Sequence, residues 1–260
     1  MKKKIFFIVI LLIAFSCQIV LAASGHAPSY YIKKVTTVQK IPVLMYHKIA
    51  AYSSTTDGLI IGKAAFSSQM NYLKTHGYTT ISLDQFYGSI SKKLTLPSKP
   101  VLITFDDGYI SNYTLAYPIL KANRQKATVF VIAKDIDRNP GSMTSTQLKI
   151  MDANNFRVES HTYAHENLAK LSYTDQLATI KKAKLAIEKI LGRRVMYLAY
   201  PGGSYNSATM SATHAAGYNL GITTNSGLTS KIDNPYAINR IFMGPLDTLT
   251  TLQHKLNYGN

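Results

Sequence analysis

Apolar residues along this chain fall into short unbroken runs separated by longer segments of helical spacing. Ile41 to Tyr46 is a run of the buried-strand type and ends at His47. Residues 50–63 are rich in Ser, Thr and Gly and read as a loop. Phe66, Met70 and Leu73 stand at i, i+4 and i+7, one face of an amphipathic helix, with Ser67 as its predicted cap and Gly77 as its stop. Tyr78–Ile81 reads as a short strand, and Leu83–Phe86 opens a short helix.

From there the alternation is strict. Strands are predicted over 101–105, 127–132, 156–159 and 195–200, and helices over 112–122, 145–153, 174–191 and 208–216. Gly192 and Gly217 stop the last two helices. Leu220–Ile222 and Ala237–Phe242 are the final strand candidates. Alternating β and α elements imply a parallel sheet. About seven or eight such units in one domain predict an α/β fold of the (β/α) barrel kind, in which chemistry sits at the C-terminal ends of the strands. His47, Asp106, Asp107, Ser160, His161 and Pro201 each fall just after a predicted strand, so the pattern alone gathers them at one end.

The N-terminus changes the picture of where the protein works. Met1-Lys2-Lys3-Lys4 is basic, Ile5 to Phe15 is continuously apolar, and Val20-Leu21-Ala22 is a small-residue cleavage site. Residues 1–22 therefore read as a secretory signal peptide, with an uncleaved anchor as the other reading. Residues 23–40 read as a polar linker and 41–260 as one domain. Cys17 is the sole cysteine, so the domain needs no disulfide, and its length suffices to bury a core without one. The formal charge is +16, or +13 without Lys2, Lys3 and Lys4. A protein this basic is drawn to anionic surfaces, which for an exported chain means the cell envelope. Export and the lack of an aromatic-interleaved basic stripe exclude nucleic acid as a partner.

Two segments carry the candidate chemistry. Val101-Leu102-Ile103-Thr104-Phe105 runs into Asp106-Asp107-Gly108, and Ser160-His161-Thr162-Tyr163-Ala164-His165 follows some fifty residues later. Together they offer two carboxylates and two imidazoles, enough for one divalent metal and one general base. His161 and His165 lie on one face if the segment coils. Two His and one carboxylate leave coordination positions open, as a catalytic metal requires. Zinc is the default for that set, with Co2+, Ni2+ and Fe2+ as alternatives.

A Thr-Phe-Asp-Asp-Gly strand end paired with Ser-His-Thr-x-x-His resembles the polysaccharide deacetylase family, also called NodB-homology or carbohydrate esterase family 4. The resemblance covers roughly 41–256 and implies a distorted (β/α) barrel. It implies that Asp107, His161 and His165 hold the metal, that Asp106 is the general base, and that oxyanion donors lie near Tyr109 and Gly202. Adjacent side chains at a strand end diverge, which suits one ligating carboxylate beside one free base. Tyr200 and Pro201 complete the expected substrate-binding segment, and Ser160 is expected to orient a metal-site imidazole.

The third family motif usually reads Arg-x-Pro-Tyr, but this chain has Ala199-Tyr200-Pro201-Gly202-Gly203. The Arg that would orient the base is absent there, and Arg240, at a late strand end, is a candidate to replace it in space. The chain also has no Trp, so the usual Asp–Trp motif is missing. Leu252-Gln253-His254 matches the letters of a late family motif but lies in a predicted C-terminal helix. Pro42-Val43-Leu44-Met45-Tyr46-His47 looks like the secreted poly-N-acetylglucosamine deacetylases of biofilms, which makes His47 the expected general acid. The implied function is metal-dependent release of acetate from an N-acetylglucosamine polymer: poly-N-acetylglucosamine, peptidoglycan or chitin oligomer. An O-acetyl esterase on xylan or wall glycan and a non-catalytic glycan-binding module are the alternatives.

Overall fold

The computed structural model describes residues 38–260 apart from residue 55. The signal peptide and residues 23–37 of the expected linker lie outside the described residues. The strands, in chain order, are β1 Val43–Tyr46, β2 Lys48–Ala50, β3 Ile60–Gly62, β4 Thr79–Thr80, β5 Pro100–Phe105, β6 Ala127–Val131, β7 Phe156–Ser160, β8 Tyr197–Ala199, β9 Leu220–Ser226 and β10 Ile238–Phe242. The helices are α1 Lys63–Thr75, α2 Leu83–Ser91, α3 Tyr117–Asn123, α4 Ser145–Asp152, α5 Tyr173–Leu191, α6 Ser207–Ala215 and α7 Leu249–Tyr258.

Seven parallel strands close into a barrel in the order β1-β10-β9-β8-β7-β6-β5, and β5 pairs back onto β1. The small β4 binds the first residues of β5, on the edge that β6 joins only from Thr104 onward. It fills the gap where β5 and β6 splay, and Lys126 N donates to Thr80 Oγ1 at 2.8 Å. The expected barrel is thus present, and β4 is what distorts it.

Strand parity sorts two cores. Leu44, Val101, Ile103, Phe105, Val129 and Val158 face the outer helices. Val43, Leu102, Phe130, Tyr197, Ala199, Ile222 and Ile238 fill the interior. Leu83 and Phe86 of α2 join that inner cluster, so α2 plugs the end where the strands begin. A capping box from Ser82 and Gln85 fixes its start.

Several details depart from the sequence reading. The 50–63 segment is not all loop, because Ile60–Gly62 pairs in parallel with Lys48–Ala50. Both strands are only three residues long, too short for periodicity to register. Helix α1 starts at Lys63 with Gly62 as its N-cap, not at Ser67, because β3 delivers the chain directly into it. The predicted 112–122 helix divides into a π turn, Asn112–Ala116, and α3. Pro118, which has no N–H to give to the preceding turn, sits at that junction.

Candidate active site

Parity builds the upper end of the barrel. Continuing the inward positions of β1 past Val43 gives Met45 and then His47. Continuing β5 from Leu102 gives Thr104 and Asp106, and β7 gives Glu159 and His161. On β10, Ile238 leads to Arg240. Four functional side chains therefore sit above the interior layer because of the two-residue period of strands. Asp107 escapes that period, since its backbone takes φ +69° and Gly108 follows at φ +74°. A Cβ on Gly108 would stand 2.9 Å from Val131 Cγ1, so only glycine allows this turn.

Asp106 is almost fully buried and meets Arg240 in a two-pronged pair, with Nη1 to Oδ1 at 2.7 Å and Nη2 to Oδ2 at 2.6 Å. Arg240 is wholly buried, and its Nε donates to Thr223 O at 2.7 Å. Burial would raise the Asp106 carboxyl, but the charge and hydrogen bonds of Arg240, helped by His161 and His47, hold it well below the usual carboxylate range. His47 approaches from the other side, with Nε2 4.0 Å from Asp106 Oδ2. Asn112 Nδ2 donates to His47 O at 2.7 Å and fixes the corner that carries it.

Asp107, His161 and His165 form a three-ligand set. Their candidate donor atoms all lie within 4.8 Å of one another. His161 Nε2 is 3.4 Å and His165 Nε2 3.5 Å from Asp107 Oδ1. Tetrahedral ligands at about 2.1 Å from zinc would be separated by about 3.4 Å, so the spacing fits a metal. Asp107 Oδ1 is buried with no hydrogen-bond partner, an arrangement that costs free energy unless a cation takes up the oxygen. His161 Nδ1 lies 2.9 Å from Ala199 O. A carbonyl can only accept, which puts the proton on Nδ1 and the lone pair on Nε2, facing Asp107. Burial lowers the His161 pKa despite the two aspartates, and so keeps the ring neutral. Thr162 and His165 hold φ +65° and +59°, left-handed values that cost non-glycine residues energy and cluster at functional sites.

These groups open onto a cleft of about 480 Å³. Tyr109 and Gly202 line it beside the two aspartates. Burial and the Asp107 carboxylate push the Tyr109 hydroxyl up to about 12. Gly203, next to Gly202, is at φ +68°, and a Cβ there would come within 1.9 Å of Thr224 Oγ1, a cleft residue. Gly203→Ala is expected to destabilise the fold by about 1–3 kcal/mol, measurable as a lower midpoint in urea.

The structure thus brings His47, Asp106, Asp107, Tyr109, His161, His165 and Gly202 around one cleft. Three expected site residues stand elsewhere. Tyr200 is fully buried and its hydroxyl donates to Tyr236 O at 3.0 Å, because its parity points it outward under α6 and not into the barrel. Pro201 is buried behind Gly202. Ser160 does not orient an imidazole. Its Oγ accepts from Thr162 N at 3.3 Å, and the Ala199 carbonyl holds His161 instead. Sequence reasoning missed Leu59, Asp135, Asn139 and Thr224 as cleft residues. Leu59, Asp135 and Asn139 sit on connecting segments, where no periodicity marks which side chains turn inward, and Thr224 lies on β9 beyond the predicted Leu220–Ile222.

Comparisons with known proteins show which family the chain resembles. The family model described as polysaccharide deacetylase matches residues 93–221. A Bacillus subtilis (strain 168) protein bearing the family's name, YxkH, is 34% identical over 206 residues, covering 79% of this chain and 72% of that one. A Staphylococcus aureus poly-beta-1,6-N-acetyl-D-glucosamine N-deacetylase is 28% identical over 199 residues, 70% of this chain and 67% of its own length. The solved structure of Streptococcus pyogenes deacetylase PplD in complex with acetate superposes with a TM-score of 0.80 at 32% identity, covering 85% of this chain and 99% of that one. With its parallel seven-stranded barrel and its Asp-Asp and His-x-x-x-His segments at one end, this chain belongs to the polysaccharide deacetylase family of hydrolases.

Proposed function

We propose that the protein is an exported, metal-dependent N-deacetylase that releases acetate from an N-acetylglucosamine polymer of the cell surface or wall. One observation carries the reading. A buried carboxylate held ionised by a two-pronged arginine stands beside a three-ligand set with an unpartnered carboxylate oxygen, at the floor of one cleft. Export rests on residues 1–22, and the amino-sugar polymer on the name of the Staphylococcus aureus relative.

Asp107, His161 and His165 would hold the metal, with zinc the first choice for this donor set. When bound, such an ion polarises the acetyl carbonyl and acidifies water. The remaining work falls to the chain. Asp106 takes the proton of the attacking water, and Arg240 keeps that carboxylate ionised and aimed. As the C–N bond breaks, the amine must leave protonated, since an amide nitrogen departs poorly as an anion. His47 Nε2, 4.0 Å from Asp106 Oδ2, is placed to supply that proton. Backbone N–H groups near Tyr109 and Gly202 flank the place where negative charge develops on the acetyl oxygen.

The test is acetate release from poly-N-acetylglucosamine, peptidoglycan, chitin oligomers and acetylated xylan, with zinc, cobalt or chelator. Chelator should abolish release from an amino-sugar polymer and added metal should restore it. Release from xylan alone would make the protein an O-acetyl esterase. Metal uptake without release from any substrate would favour a glycan-binding module.

A further inference from the structure

The barrel end opposite the cleft carries a concentration of cations that the proposed chemistry does not use. The chain reaches the barrel at that end, where Gln39 Nε2 donates to Pro97 O and Ser98 O at 2.8 and 3.0 Å, just ahead of β5. Lys40, Lys92, Lys93 and Lys99 are exposed around this point. Beside them is a hollow of about 260 Å³ whose lining includes Lys74, Arg124, Lys126 and Tyr78 and has no carboxylate. Lys99 Nζ stands 5.5 Å from the Tyr78 ring centre, so the two groups of cations form one surface. Lys126 Nζ donates to a neutral partner, Gln85 Oε1, at 2.8 Å.

Asp84, Asp152 and Glu159 at this end already pair with Arg157 and Arg193, and Asp233 is hydrogen-bonded within its own turn to Thr229 and Ser230. Among the described residues, none of the seven cations forms a salt bridge. They are spread over the segments that lead into β1, β4, β5 and β6 and do not converge on one point. Such a surface fits an extended, fluid anionic partner better than a small bound ion. The described residues begin with Val38, at this same end.

We propose that this face docks on anionic phospholipid head groups, which turns the cleft away from the bilayer. A polybasic surface gains affinity with each added cation near an anionic membrane and loses it with salt.

The experiment uses the full chain and phosphatidylcholine vesicles with and without about 30 mol% phosphatidylglycerol. The apolar N-terminal run contributes to both vesicle types, so the ratio of the two affinities reports the cationic face. That ratio should exceed about tenfold at low salt and fall towards one in Lys74→Glu/Lys99→Glu/Arg124→Glu. The same charge change at the cleft end, Lys134→Glu/Arg138→Glu/Lys182→Glu, should leave it unchanged, with thermal unfolding checking that both variants fold. Equal binding to the two vesicle types overturns the proposal, as does an equal loss of ratio in the two triple variants. Retention on isolated cell wall with no preference for phosphatidylglycerol also overturns it, in favour of a wall polymer as the partner.

Discussion

Replacing Asp106 with Asn is expected to lower acetate release by about 10²–10⁴-fold, the usual contribution of a general base, while leaving metal uptake intact. The separation follows from geometry. Asp106 is engaged by Arg240 through both oxygens, so the metal set of Asp107, His161 and His165 does not depend on it. Asp107→Asn should behave in the opposite way and lose metal and activity together. Metal content after dialysis, measured beside turnover, distinguishes the two variants. Activity of Asp106→Asn within tenfold of the wild type would remove Asp106 from the role of base.

The second large effect belongs to Arg240. Arg240→Met should cost about 3–5 kcal/mol of stability, because breaking a buried ion pair from one side strands the remaining charge. Turnover should fall with it and become more sensitive to acid. In the wild type the depressed Asp106 pKa means that the pair stabilises the fold above the ordinary value of 3.8, an advantage lost only as pH falls through the folded value in strong acid. Without Arg240, burial is opposed only by His161 and His47, and that carboxyl rises. The stability gap between wild type and variant should then widen from low pH towards neutral, and the acid limb of activity should move to higher pH. Urea unfolding across pH and a pH–rate profile read the two effects separately. Arg240→Lys keeps the charge without the planar fork and should recover only part of each. An unchanged acid limb in Arg240→Met would show that Arg240 supports the fold and not the base.

Arg240 also shows how far the candidate site can be read from the chain. The Ala199-Tyr200-Pro201 segment lacks the expected Arg, and a late strand-end Arg was a legible candidate. Its pairing with Asp106 depends on β1 lying between β5 and β10, so that two residues 134 positions apart face each other across the barrel mouth. Ser160 and Tyr200 were misplaced for the same reason. Ser160, expected just after its strand, is the last residue of β7, and Tyr200 directly follows β8, so the side to which each side chain turns depends on the local register.

The strand and helix alternation, and with it the barrel, is written in runs such as Val101–Phe105 and the helical spacing of Thr174–Leu191, because burial on both sides of a strand demands continuous apolar residues. The metal-ligand types are written in the Asp-Asp-Gly and His-x-x-x-His segments, because few other residue patterns offer an open divalent site. Tertiary structure decided the rest: the α2 plug, the β4 wedge, the Ala199 carbonyl that fixes the tautomer of His161, and the Arg240–Asp106 pair. These are contacts between segments distant in sequence, and they exist only once closure of the sheet sets which residues face one another.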